Sequence, residues 1–283
     1  MHVTVNGARL YFDVDGAGLA PDGPRIVERP TLLLLHGGPG GDHSTFKPGF
    51  SQLRDVAQLV YLDHRGNGRS EHGDPALWNL DQWGDDVRAF CDVLGIRRPI
   101  VLGYSFGGMV AQSYATRHPD HPGKLILFST SPKVDREEIY GVFARLGGAH
   151  AGEIARARFE TPGPQSMIDY RDICSPLYNR RGEKDPDAAL RALRNDAVAL
   201  HFAGPDRETA RLDFRSALGH VQCPTLVMAG EDDPITPISR SELIAACLPP
   251  ALVRFKRFAN AGHGVHIDDP DRAFAILRDF IKA

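Results

Sequence analysis

The segment Ile100-Val-Leu-Gly103-Tyr-Ser105-Phe-Gly107-Gly108 decides the fold of this chain. A short apolar run precedes the pattern G-x-S-x-G. Residues with helical spacing follow it over Phe106–His118, and Pro119 ends that helix. A strand that turns abruptly into a helix projects the side chain at the turn in a strained conformation, and flanking glycines leave room for the close approach. We therefore predict that Ser105 is a nucleophile, and that the backbone N–H of Phe106 donates to a developing oxyanion.

Strands alternate with helices on both sides of this turn. The predicted strands are Thr31–Leu35, Leu59–Leu62, Ile100–Tyr104, Lys124–Phe128, Thr225–Ala229 and Leu252–Phe258. Helical spacing covers Leu80–Leu94, Phe106–His118, the region of Ser239–Leu248, and Asp271–Ile281. The alternation predicts an α/β fold with a mostly parallel sheet covered on both faces.

Two further segments complete this outline. At the N-terminus, Val3–Val5 and Leu10–Val14 flank Asn6-Gly7, which predicts a tight hairpin, and Asp15–Pro30 is interpreted as a surface loop. Between about Pro132 and Val221 no strand is predicted, and the helical stretches are Arg136–Leu146, Gln165–Leu177 and Asp187–His201. We predict a core formed by 1–131 and 222–283, with 132–221 inserted as a helical lid over the sheet edge where ligands bind.

The loop His36-Gly-Gly-Pro-Gly40 directly follows the Thr31–Leu35 strand. In a hydrolase of this architecture such a loop lies beside the nucleophile, so the N–H of Gly38 is the predicted second oxyanion donor. A phosphate-binding loop is excluded because no G-K-[ST] follows. His36 itself is interpreted as a structural hydrogen-bonding residue.

A serine hydroxyl needs a base, and the base needs a carboxylate that orients it. The chain order Ser, Asp, His points to the loops after the last two strands, Gly230-Glu-Asp-Asp-Pro-Ile-Thr-Pro237 and Asn260-Ala-Gly-His263-Gly. We favour Asp233 over its neighbours Asp232 and Glu231, because a G-x-x-D turn directs its fourth residue inward. We favour His263 over His266 because the glycines on both sides of His263 suit a crowded site.

Composition excludes several other classes of function. The formal net charge is −3 and no basic stripe is present, so we predict no nucleic-acid partner. No signal peptide, bilayer-length apolar run, metal-ligand motif or dinucleotide fingerprint is visible, so we expect no membrane contact, no metal and no cofactor. The four scattered cysteines favour reduced thiols and a cytoplasmic location, and the oligomeric state cannot be deduced.

Taken together, these motifs resemble the proline iminopeptidases and their relatives in the α/β-hydrolase superfamily. The resemblance also rests on Asp63-x-Arg-Gly-x-Gly-x-Ser70, in which Asp63 and Arg65 are expected to brace neighbouring backbone. It implies an eight-stranded, mostly parallel sheet with an inserted lid.

The resemblance fails where an aminopeptidase must bind an amine. Iminopeptidases do this with buried glutamates, one of them in a lid motif resembling G-P-N-E. Here that lid segment is Gly204-Pro-Asp-Arg207, and Pro234 follows Asp233. Arg207 therefore occupies the position of the lid glutamate, unless the alignment shifts by one residue to Glu208. A cation at that position would favour neutral or acidic substrates.

The predicted function is hydrolysis of a small ester, lactone or amide through an acyl-enzyme. Ser105, Asp233 and His263 form the predicted catalytic set, and Tyr104 and Arg207 are predicted to contact the small-molecule substrate. A true N-terminal proline aminopeptidase is the alternative enzyme. A ligand-binding receptor built on the same fold is the alternative from another class.

Overall fold

The computed structural model describes residues 1–182 and 187–283 and contains a central sheet. In chain order the strands are β1 (His2–Val5), β2 (Ala8–Asp15), β3 (Leu19–Asp22), β4 (Arg25–Glu28), β5 (Thr31–Leu35), β6 (Gln58–Leu62), β7 (Ile100–Tyr104), β8 (Lys124–Phe128), β9 (Thr225–Gly230) and β10 (Val253–Phe258). The main sheet has eight strands in the order β1-β2-β6-β5-β7-β8-β9-β10. Pairing is antiparallel at β1–β2 and β2–β6 and parallel elsewhere in this sheet, which confirms the predicted α/β architecture.

The described part of the chain has helices on both faces of this sheet and further helices in the segment 132–221. The helices are α1 (Leu80–Leu94), α2 (Phe106–Arg117), α3 (Arg136–Gly147), α4 (Ala149–Glu160), α5 (Pro164–Asp169), α6 (Ala188–Arg191), α7 (Asp196–Phe202), α8 (Glu208–Arg211), α9 (Ile238–Cys247), α10 (Val265–Asp268) and α11 (Pro270–Lys282). No helix in the described part of the chain is long and apolar enough to cross a bilayer.

Strand β5 shows why the central strands are apolar throughout. Leu33 and Leu35 belong to one core cluster, with side chains of α1 and α2, while Leu32 and Leu34 belong to a second cluster, with side chains of α11. Successive side chains of a strand point to opposite faces, so a strand buried on both faces needs an apolar residue at every position.

The prediction of a plain loop over Asp15–Pro30 is wrong, because β3 and β4 pair there as a separate hairpin. Its two-residue turn is Gly23-Pro24, and a glycine with a positive φ at the first turn position is a known hairpin signal. Strand β4 is exposed along its whole length, so the hairpin lacks the buried, alternating apolar face by which strands are recognised in sequences.

Residues 132–221, the predicted helical insertion, contain helices and no strand among their described residues; 183–186 lie outside the described part. Helix α4 was not predicted from the sequence. The single helix predicted over Asp187–His201 is wrong: α6 ends at Arg191 and α7 begins at Asp196. Asn195 separates them, because its side chain accepts a hydrogen bond from Ala197 N and caps α7.

A buried ion pair fixes the loop that follows β6. The guanidinium of Arg65 donates from Nε and Nη2 to the two carboxylate oxygens of Asp86 on α1, both at 2.8 Å. Asn6, in the β1–β2 turn, donates to the same carboxylate at 2.9 Å and accepts from Arg65 through its carbonyl at 3.1 Å. The pair therefore ties three segments together, which confirms the bracing role expected of Arg65.

We expect Asp86→Asn to destabilise the fold by about 3–5 kcal/mol, because it leaves the buried Arg65 charge without an anion. Asp92→Asn on the same helix is the matched control. It removes an exposed pair with Arg88, and we expect a loss below about 1 kcal/mol. Urea unfolding measures both, and equal losses would contradict this account.

Candidate active site

Ser105 lies at the turn between β7 and α2. Its backbone angles are φ 56° and ψ −121°, a region that residues with a side chain rarely adopt. Packing on both sides enforces the turn. A β-carbon at Gly107 would collide with the carbonyl oxygens of Leu35 and His36, and one at Gly103 would collide with the first turn of α2. The strand–turn–helix geometry predicted from G-x-S-x-G is present.

The two predicted oxyanion donors lie beside this turn. Phe106 is the first residue of α2, so its N–H has no acceptor within the helix. A β-carbon at Gly37 would lie 3.1 Å from Cβ of Ser105, which places the loop after β5 directly against the serine. Gly38 has a φ of 134°, and it lines the same cavity as Ser105 and Phe106.

Hydrogen bonds from two directions hold this glycine loop. The N–H of Gly40 donates to Asn67 Oδ1 at 2.8 Å, in the loop that follows β6. The carbonyl of Gly40 accepts from Asn195 N in the helical insertion at 2.8 Å, and Asn195 Nδ2 donates to Gly66 O at the same distance. The loop is therefore fixed between the sheet edge and the insertion.

His36 and Asp63 have structural surroundings. His36 is buried and its Nδ1 donates to Gly37 O at 2.7 Å, while its Nε2 accepts from His64 N at 3.2 Å. Burial lowers the pKa of His36, which keeps the ring neutral. Burial alone would raise the pKa of Asp63, but hydrogen bonds from His43 and Arg69 N lower it. The structural interpretation of His36 and Asp63 is confirmed.

Asp233 and His263 form a buried pair. His263 Nδ1 donates to Asp233 Oδ2 at 2.8 Å, and the side chains are 4% and 0% exposed respectively. The other carboxylate oxygen accepts the N–H groups of Ile235 and Thr236, each at 2.9 Å. The Thr236 hydroxyl donates to Oδ2 at 2.6 Å. These donors hold the carboxylate in one orientation toward the imidazole.

The two competing residues have other partners. Asp232 faces Arg145 at 3.3 Å and Arg180 at 3.6 Å on the outer side of the loop. His266 packs against the rings of Phe50, Tyr104 and Phe128, and its Nδ1 is buried without a hydrogen bond. Burial lowers its pKa to about 3, so His266 stays neutral. Within the described residues no carboxylate contacts it.

The helical insertion also holds the loop that carries His263. The N–H of His263 donates to Tyr178 O at 2.6 Å, and Gly264 N donates to Asn179 Oδ1 at 2.8 Å. The ring of Tyr178 lies edge-on to His263 with centroids 5.3 Å apart. Sequence analysis did not predict Thr236 or the contacts of Tyr178 with His263. The spacing of Thr236 from Asp233 is a recognisable turn signal, whereas nothing local marks Tyr178.

A cavity of about 860 Å³ brings the predicted residues together. Ser105, His263, Gly38, Phe106 and Tyr104 all line it, and Asp233 lies behind His263. No direct hydrogen bond joins the Ser105 hydroxyl to His263 within the described residues; such bonds often tighten only when substrate binds. The site thus places a hydroxyl, an oriented imidazole and two backbone N–H groups around one space.

Comparison with known proteins identifies the family. The sequence model of the α/β hydrolase fold family matches residues 30–270. The chain belongs to the α/β-hydrolase family. It is 29% identical over 291 residues to the proline iminopeptidase PfmaB of Pestalotiopsis fici, covering 99% of this chain and 98% of that protein. It is 28% identical over 279 residues to a putative carbamate hydrolase RutD of Agrobacterium fabrum, covering 96% and 98%.

A solved structure agrees with this assignment. The proline iminopeptidase of Mycobacterium smegmatis superposes with a TM-score of 0.77 at 23% identity, over 100% of this chain and 97% of that chain. The prediction of a hydrolytic enzyme with proline-iminopeptidase-like relatives is confirmed.

The lid segment around Arg207 differs from the sequence expectation. Arg207 is exposed and is not among the residues that line the cavity, so its predicted contact with substrate is corrected. Glu208 is also outside the cavity lining, because its carboxylate accepts the N–H of Leu80 at the start of α1. Neither Arg207 nor Glu208 therefore supplies a charge to the cavity.

One cluster of the hydrolase has the composition of a metal site. Ligand atoms of Asp42, His43 and Asp63 lie within 4.8 Å of one another. Protein donors already occupy these carboxylates: Asp63 accepts from His43, and Asp42 accepts from Ser44 N and Arg69. The cluster serves the loops around the site and gives no reason to propose a metal.

We expect His266→Phe to make the hydrolase less sensitive to acid. The folded pKa of His266 is lowered to about 3 from 6.5, so its contribution to stability is complete above about pH 6.5 and is lost as pH falls toward 3. Between about pH 7 and about pH 5 the stability of the variant relative to wild type should rise by about 2 kcal/mol in urea unfolding. An unchanged difference would contradict the burial argument.

Proposed function

We propose that this enzyme hydrolyses a small ester, lactone or amide through an acyl-enzyme on Ser105. The observation that carries the proposal is the buried hydrogen bond between Asp233 and His263, in a cavity that Ser105 also lines. A carboxylate-oriented imidazole beside a strained serine turn is the arrangement that activates a hydroxyl for attack on an acyl carbon.

The reaction uses each group in turn. Ser105 Oγ attacks the carbonyl carbon while His263 Nε2 takes the hydroxyl proton, and Asp233 stabilises the imidazolium. The oxyanion accepts hydrogen bonds from the N–H groups of Gly38 and Phe106. His263 then returns the proton to the leaving group. A water molecule attacks the acyl-enzyme in the same way and releases the acid.

The similar proteins support attack on an acyl carbon, but they do not determine which kind of bond is cleaved. One is named a proline iminopeptidase and another a putative carbamate hydrolase. An N-terminal proline peptidase needs anions that bind a protonated amine. The described residues that line this cavity include no glutamate; the lining anions are Asp42, which already accepts hydrogen bonds from Ser44 N and Arg69, and Asp196. We therefore rank esters, lactones and neutral amides above aminoacyl substrates. Failure to cleave proline naphthylamide at high enzyme concentration supports this ranking, and efficient cleavage reverses it.

The free thiols support a reducing compartment. All four cysteines are unpaired, and burial raises the pKa of Cys91 to about 12 and of Cys223 to about 11, so these thiols stay protonated. We therefore propose a cytoplasmic location, which fractionation of the source cells would test.

We expect a fluorophosphonate probe to label the protein once, at Ser105, and Ser105→Ala to abolish labelling. His263→Ala should slow labelling by about 10³-fold or more, because the hydroxyl loses its base. Intact mass and peptide mapping measure both, with thermal melting as the test of folding. A folded wild-type protein that resists the probe would favour the ligand-binding receptor.

Two adjacent aspartates provide a matched test of the acid. Asp233→Asn should lower kcat on a 4-nitrophenyl ester by about 10³–10⁴-fold, because the amide no longer fixes the imidazole tautomer. Asp232→Asn should leave kcat within about twofold, since it removes only partly exposed ion pairs. Similar losses in the two variants would contradict the assignment.

A further inference from the structure

The charged side chains that line the cavity are mostly cations. Among the described residues the lining cations are Lys47, Arg136, Arg158, Arg171 and Arg194, and the lining anions are Asp42 and Asp196. Lys47 is neutralised by Asp13 and Asp15, and Arg171 lies 3.8 Å from Asp172. Asp42 is occupied by the donors described above.

Arg136 and Arg158 are partly buried and, unlike Lys47 and Arg171, have no carboxylate partner in the described part of the chain; Arg194 also has none there, but it is exposed. Arg136 donates to the backbone carbonyls of Phe159 and Gly204, which fixes its guanidinium, yet its Nε is buried without a partner. Nη1 of Arg158 is also buried without a partner.

Both guanidinium groups lie near the ring of Phe159. Their central carbons lie 6.0 Å (Arg136) and 5.8 Å (Arg158) from the centroid of Phe159, which itself lines the cavity. The position of Arg158 in the last turn of α4 stabilises its positive charge but supplies no hydrogen-bond acceptor for Nη1. A partly buried guanidinium stays charged, and a buried N–H without an acceptor is costly.

Arg158 is close enough to Tyr178 for its charge to act on that side chain. Burial raises the pKa of Tyr178 to about 12, and the positive charge of Arg158 opposes this rise. The ring of Tyr178 in turn contacts His263.

We propose that Arg136 and Arg158 form a subsite for a carboxylate on the substrate, remote from the bond that is cleaved. The planar guanidinium and the carboxylate match in geometry, and charge-assisted hydrogen bonds of this kind are about twice as strong as neutral ones. This inference rests on the proposed hydrolase function and narrows its substrates to esters, lactones or amides that carry an acid group.

The same helix offers a matched control. Arg156 is two residues from Arg158 on α4, but it is outside the cavity lining and pairs with Glu137 and Glu160 at 2.8 and 2.9 Å on the exposed side. Arg158→Gln removes the proposed anion ligand, whereas Arg156→Gln removes a surface cation. Both variants keep a long polar side chain at their position.

The test compares carboxylate esters with uncharged partners of the same shape. One pair is the 4-nitrophenyl monoester of glutaric acid and its methyl ester, in which the acid lies on the acyl side of the bond. The other pair is 4-acetoxybenzoate and its methyl ester, in which the acid lies on the leaving group. Ser105→Ala gives the blank. We expect kcat/KM to favour the carboxylate in at least one pair. Arg158→Gln should reduce that value by about 10- to 100-fold and leave the uncharged ester within about threefold.

Three outcomes separate the two proposals. Hydrolysis that prefers the uncharged ester in both pairs, or equal effects of Arg158→Gln and Arg156→Gln, overturns the carboxylate subsite and leaves the hydrolase intact. Absence of any Ser105-dependent hydrolysis contradicts the proposed function. In that case calorimetric titration with glutarate tests the subsite alone: binding that Arg158→Gln weakens and Arg156→Gln does not supports it, and no binding overturns it.

Discussion

The close approach of α2 to the end of β5 is the constraint on which the rest of the site depends. Gly107 packs against the carbonyl oxygens of Leu35 and His36 so closely that no β-carbon fits between them. Because the helix begins there, the chain must turn sharply at Ser105, which takes a φ of 56°. The same contact brings the glycine loop after β5 against the serine. One packing interaction thus sets the nucleophile and both oxyanion donors relative to each other, as close-packed interiors allow.

The helical insertion lines the cavity, and it also holds the loops that carry the base and the oxyanion donors. Tyr178 and Asn179 hold the loop that carries His263, and Asn195 holds the glycine loop at Gly40. These bonds connect the insertion to the base on one side and to the oxyanion donors on the other. Sequence changes in the insertion should therefore alter catalytic geometry as well as the shape of the substrate cavity.

Sequence reasoning succeeded where local chemistry determines structure. Strands buried on both faces must be apolar at each position, so β5, β7 and β8 were predicted to the residue. It failed where a residue that is distant in the sequence determines the local structure. Asn195 breaks a predicted helix while its backbone N–H donates to Gly40 O, and Arg207, predicted to contact substrate, is exposed and lies outside the lining of the cavity. The unpaired state of Arg136 and Arg158 likewise depends on which acids lie near them in three dimensions.

A crystal structure of the covalent fluorophosphonate adduct tests the central claim most directly, because it shows where the turn and the glycine loop hold an oxyanion. The account predicts a phosphorus–oxygen bond to Ser105 Oγ, with the phosphoryl oxygen about 2.7–3.1 Å from the backbone nitrogens of both Gly38 and Phe106. It also predicts that the hydrogen bond between His263 and Asp233 is retained. A phosphoryl oxygen directed away from these nitrogens, or an adduct on another residue, would contradict it.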